Sequence, residues 1–218
     1  MRGRLSRPVL EGTDADLKKD SATTSVRRLA PVDSETRARM LDAAEAVLRD
    51  EGYAMLTSRR IANRMGVKQQ LVFYYFRTMD DLVVDAFRRL AARELERVET
   101  ALSSERPLHE IWNVCIHTSD ARLITEFMAL AHRNEALRKE VIAYIEQMRR
   151  IHVGALTRAS KDGASGLSAL APVAISFLAT SAALALTREG AIGVSMGHAE
   201  VLELIGQSIA ALEPNGPA

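Results

Sequence analysis

The segment "TSRRIANRMGVKQQLVFYYFRT", Thr57 to Thr78, constrains the fold more than any other part of the chain. Thr57 caps a short helix whose inward positions are Ile61, Ala62 and Met65, and Gly66 ends it. A second short helix starts near Lys68 and runs to about Tyr75. Two helices joined through Met65-Gly66-Val67 match a helix-turn-helix, in which a tight turn holds the second helix across the first. Such a second helix can enter a major groove with its N-terminal residues on base edges.

Charge patterning points the same way. Ser58 to Leu82 carries five basic residues, Arg59, Arg60, Arg64, Lys68 and Arg77, and no acid before Asp80. The formal net charge of the whole chain is only +1, so any nucleic-acid signal must be local. Thr57 and Ser58 offer hydroxyls and free backbone amides to a phosphate, with Arg59 beside them. Lys68 can bond guanine, and Gln69 or Gln70 can pair with adenine through two hydrogen bonds. Helical spacing sets Val72, Tyr75 and Phe76 on one inward face with Val67. Phe73 and Tyr74 then point outward toward the DNA backbone, where Tyr74 keeps a hydroxyl for phosphate.

The rest of the chain is helical in pattern. Asp33 or Ser34 caps a helix bearing Met40, Leu41, Ala44, Val47 and Leu48, which Gly52 stops. Thr78, counted with the DNA-facing residues, caps a fourth helix that runs to about residue 103. Asp80 and Asp81 lie in its first turn, where the helix dipole favours acids. Further helices are expected at about 107–119, 121–132, 134–160, 168–189 and 198–212. No segment alternates as a strand would, so the fold class is all-α with about nine helices. The expected division is a disordered arm over 1–32, a helix-turn-helix domain over 33–78 and a helical domain over 79–214. In the arm, Arg2, Arg4 and Arg7 could reach a minor groove, and Arg27 and Arg28 could touch phosphates.

Other chemistries find little support. Cys115 is the single cysteine, which rules out an internal disulfide and fits a reducing cytosol. The N-terminus lacks the apolar core of a secretory signal, so a cytoplasmic protein is expected. Gly163 to Thr187 holds no charge, but its Ala, Ser and Thr content suits a buried helix better than a membrane span. Cys115 and His117 turn to different helix faces, and the other histidines form no metal-binding pattern. No phosphate loop or nucleophile elbow occurs, so no catalytic residue, metal or cofactor is expected.

The run from Thr36 to Leu90 resembles the N-terminal domain of the TetR family of transcriptional regulators. The resemblance rests on Gly52-Tyr53, on Thr57 with Ile61, Ala62, Gly66 and Val67, on Phe73-Tyr74-Tyr75-Phe76, and on Thr78. The chain departs from the family pattern at Phe73, where a tyrosine is usual, and at Met79, where a lysine is. Lys68 and Gln70 replace small residues at the start of the recognition helix, which implies a different base preference.

The resemblance implies a homodimer, most often a repressor, that a small molecule releases from its double-stranded DNA operator. The uncharged helix at about 168–189 and the helix at about 198–212 could form a four-helix dimer bundle. Ala171, Ala174, Ala182 and Ala185 would let them approach closely. Candidate residues around a small, largely apolar effector are Trp112, Cys115, Ile116, Phe127, Met128, Tyr144, Met148, His152, Phe177 and Leu178. Two alternatives stand beside this reading. One is a ligand-independent DNA-binding protein whose C-terminal domain only dimerises or docks a partner protein. The other is an enzyme on a helical scaffold.

Overall fold

The structure, a computed structural model, describes residues 31–118, 120–162 and 170–213. Nine α-helices hold most of the described residues: α1 (Pro31–Glu51), α2 (Ser58–Met65), α3 (Gln69–Tyr75), α4 (Met79–Leu102), α5 (Pro107–Ile116), α6 (Ala121–Ala131), α7 (Glu135–Asp162), α8 (Pro172–Gly190) and α9 (His198–Leu212). The expected arm, with its five arginines, lies outside the described residues apart from its last two positions, which open α1. That helix starts at Pro31, ahead of the cap expected at Asp33 or Ser34. Proline suits a helical first turn, where its missing N–H costs nothing.

The short helices end where their sequence says they must. The Thr57 hydroxyl accepts from the Arg60 amide to cap α2, and Gly66 closes it at a φ of 67°. Thr78 and Asp81 exchange bonds in a full capping box at the start of α4. α5 stops at Ile116, three residues short of the expected end, and Asp120 caps α6 through the Leu123 amide.

One apolar core gathers α1, α2, α3 and the first half of α4, and it runs on without a break into α6 and the start of α7. Val72 and Phe76 sit at its centre, while Tyr75 and Val67 pack at its edge. Phe73 and Tyr74 are 47% and 66% exposed. The expected split of this helix into an inward and an outward face therefore holds. A second core joins the end of α4 to α5, the middle of α7 and the end of α9. Glu213, the C-cap of α9, is held there, accepting from the Leu108 and His109 amides at 2.6 and 3.1 Å. No described helix is long and apolar enough to cross a membrane.

Candidate nucleic-acid interface and ligand cavities

The exposed ends of α2 and α3 form one surface. Thr57, Arg59, Lys68, Gln69, Gln70, Phe73, Tyr74 and Thr78 are all exposed around it. Ser58 is not. It is buried, and its hydroxyl accepts from the Gln69 amide nitrogen at 2.7 Å. Ser58 therefore joins α2 to α3 rather than facing a phosphate with its hydroxyl, and Gln69 is held by it. Gln70 carries no such tether among the described residues.

The absence of acid along the sequence does not survive intact in space. Glu51 bonds Arg60 at 2.8 Å and Arg64 at 3.2 Å, and Asp50 bonds Arg64 at 2.9 Å. All four belong to the packing of α1 on α2. Of the five cations between Ser58 and Leu82, Arg59, Lys68 and Arg77 are left without an ion pair among the described residues. The free positive charge thus sits at the start of α2 and at both ends of α3. That is the edge a helix offers when it enters a groove beside phosphates.

The profile described as bacterial regulatory proteins, tetR family, matches residues 40–86, from α1 through the first turns of α4. Over residues 40–86 the chain is thus similar to the TetR family of bacterial regulatory proteins. The matched segment spans the helix-turn-helix, so this part of the chain has the form of a DNA-binding domain. Solved structures extend the likeness of fold over about four-fifths of the chain. A transcriptional regulator from Saccharomonospora viridis, in complex with choline, is 15% identical with a TM-score of 0.71, and the match covers 84% of this chain and 97% of that one. A TetR regulator from Haloarcula marismortui is 17% identical with a TM-score of 0.67, covering 81% and 97%. A TetR-family regulator from a Rhodococcus species is 20% identical with a TM-score of 0.67, covering 82% and 99%. At such identities the likeness is one of fold. No curated protein sequence matches the chain.

Beyond the TetR-like domain, a cavity of about 770 Å³ with mostly polar and charged walls lies between α4 and α5, and two further cavities with mainly apolar walls open between the C-terminal helices. The first of these two, of about 420 Å³, lies among α5, α7, α8 and α9; Trp112 and Leu178 line it, and no charged residue among those described does. The second, of about 360 Å³, lies among α4, α5, α6, α7 and α8, with Met128, Tyr144, Met148 and Phe177 in its wall. Both volumes fall in the usual range for ligand sites, about 300–1,000 Å³. Cys115, His152, Ser176 and Thr180 line both, so the cavities abut there.

Two expected pocket residues line neither cavity. Phe127 is wholly buried in the first core, edge to face with Phe87 at 5.3 Å. Ile116 is the last residue of α5 and also lies off both walls. The spacing of apolar residues marks an inward face but does not say whether that face meets a neighbour or a void. Conversely, Glu94, Thr118 and Arg149 line the second cavity and were not anticipated. Glu94 had a signal: it interrupts the buried stripe of Leu90, Ala91, Val98 and Ala101 on α4.

The electrostatics of the second cavity follow from burial. Glu94 is buried and paired with Arg97 at 2.9 Å. The Arg149 guanidinium lies 5.1 Å from the centre of the Phe177 ring. Burial, with Arg149 nearby, pushes the His152 imidazole down to about 4, so it is neutral at physiological pH. Burial and then the charge of Glu94 push the Cys115 thiol up to about 11, which keeps it an unreactive thiol. The Tyr144 hydroxyl is raised for the same two reasons.

Proposed function

We propose that this regulator is a cytoplasmic homodimeric repressor that a small, largely apolar molecule releases from its operator. One observation carries the ligand response. The helices that wall the second cavity, α4 and α6, are the ones fastened by ion pairs to α1 of the DNA-binding domain. On α4, Asp85 pairs with Arg37, while Arg89 and Arg93 both reach Glu45 at 2.8 Å. On α6, the capping residue Asp120 pairs with Arg49. Glu94 of α4 and Ile124 and Met128 of α6 stand in the cavity wall. A molecule that shifts α4 against α6 therefore pulls on both fastenings of α1. Its tilt sets the angle of the reading helix. A coupling of about 1–3 kcal/mol changes affinity roughly 5–150-fold, so only part of the ligand's binding energy is needed.

The dimer is supported by the faces of α8 and α9. Val173, Phe177, Leu178, Leu202 and Leu204 are exposed, and an apolar surface on this scale marks an interaction site. The choline held by the Saccharomonospora viridis protein lends an example of a small molecule in this fold. Cavities of this size count against the alternative in which the C-terminal domain only dimerises or docks a partner, because that role requires no void.

The first test is binding to the DNA upstream of the protein's own gene, by fluorescence anisotropy across a salt series. The expected result is two protomers per site and an affinity that falls steeply with salt. Equal affinity for random DNA would sink the operator reading. Within that assay, Tyr74→Phe should weaken binding to every sequence alike by about 0.5–1.5 kcal/mol, as loss of one phosphate hydrogen bond does. Gln70→Ala should relax preference at one base pair by about 1–3 kcal/mol. A uniform loss across operator variants would remove Gln70 from base reading.

A further inference from the structure

The walls of the second cavity hold two polar atoms that no described residue satisfies. The Thr118 hydroxyl oxygen and Nε2 of His152 are both buried and make no hydrogen bond. His152 is only 5% exposed, and its Nδ1 stands at 3.5 Å from the Ser176 hydroxyl, the limit of a weak bond. Leaving such atoms unpaired costs stability, and buried polar groups in folded proteins almost always find a partner. Both residues belong to the same cavity wall, so one bound molecule could satisfy both.

Charge narrows that molecule further. Glu94 and Arg149 face the second cavity, so a ligand of either sign meets one attraction and one repulsion there. Each of these residues already has a partner, in Arg97 and in the Phe177 ring. Against that near balance, the desolvation of a charged ligand is uncompensated. The adjoining first cavity has no charged lining among the described residues, and it meets the second at Cys115, His152, Ser176 and Thr180.

We propose that the effector is an uncharged amphipath lying across this junction, its hydroxyl or carbonyl head against Thr118 and His152 and its hydrocarbon part in the charge-free cavity. The inference rests on the effector reading above and adds the ligand's chemistry to it. Trp112 lines the charge-free cavity and is the chain's single tryptophan, so its fluorescence reports filling directly.

Four ten-carbon probes test it with the full-length protein: 1-decanol, decane, decanoate and decyltrimethylammonium. Decanol should bind most tightly. Thr118→Val, which keeps the side chain's shape and removes an oxygen with no partner, should keep the thermal midpoint at or above that of the unaltered protein. It should also narrow the preference for decanol over decane by about three- to tenfold, the value of one neutral hydrogen bond. Tighter binding of decanoate or of decyltrimethylammonium would overturn the uncharged head while leaving the effector reading in place. An unchanged decanol-to-decane ratio in Thr118→Val would remove the head from Thr118. If no probe altered Trp112 emission, the cavities would not be a ligand site, and the effector reading would fall with this one.

Discussion

Phe76→Ala should destabilise the protein by about 3–5 kcal/mol, the usual cost of emptying a wholly buried aromatic site. Phe76 is the C-cap of α3 and one of the largest side chains completely enclosed in the first core. It fastens the end of the recognition helix, while Val72 holds the middle. Arg37 of α1 lies 5.1 Å from the centre of its ring and closes it over. Whole domains are stable by only about 5–15 kcal/mol, so the loss is a large share of the total. Urea denaturation followed by far-ultraviolet circular dichroism would measure it, with Phe73→Ala as the exposed control. A loss below about 1 kcal/mol would mean that the site collapses around the gap and that α3 is held chiefly by other contacts.

On the proposed dimer, replacing Leu178 and Leu204 together by glutamate should give a monomer and lower operator affinity by about 10²-fold or more. The two leucines are 61% and 64% exposed on α8 and α9. Two carboxylates per protomer, facing their own copies across a two-fold axis, would have to be buried unpaired. Joining two half-site contacts in one dimer raises affinity by about 10²–10⁴-fold over a single contact, and the monomer forfeits that gain. Sedimentation velocity gives the state of assembly, and anisotropy with the operator gives the affinity. A double variant that remains dimeric would place the interface elsewhere. A monomer that keeps full affinity would show that the two reading heads do not act together.

The DNA-binding half of the molecule was legible because its signals are local. Caps at Thr57 and Thr78, the left-handed stop at Gly66 and the inward set of Val72 and Phe76 each depend on residues within one or two turns. Reading the DNA face went less far, since Ser58 turns inward to meet Gln69, eleven positions away. Asp50 and Glu51 reach across from α1 to take up Arg64 and Arg60. A charge run along the sequence says nothing about acids that folding brings to it.

The sequence by itself determined the helical class, the positions of the turns and the face of the recognition helix, because these obey a period of 3.6 residues and the conformational limits of single residues. Only the tertiary structure decided which apolar faces meet and which leave a void. It put Phe127 in the core against Phe87, yet left Met128, the next residue, at a cavity wall. It also brought Thr118 and His152 to one wall and joined Arg49 to Asp120 across 71 positions. The physical reason is that packing is a property of pairs of surfaces. A helix carries its own half of each contact in its sequence, and the other half comes from wherever the chain returns.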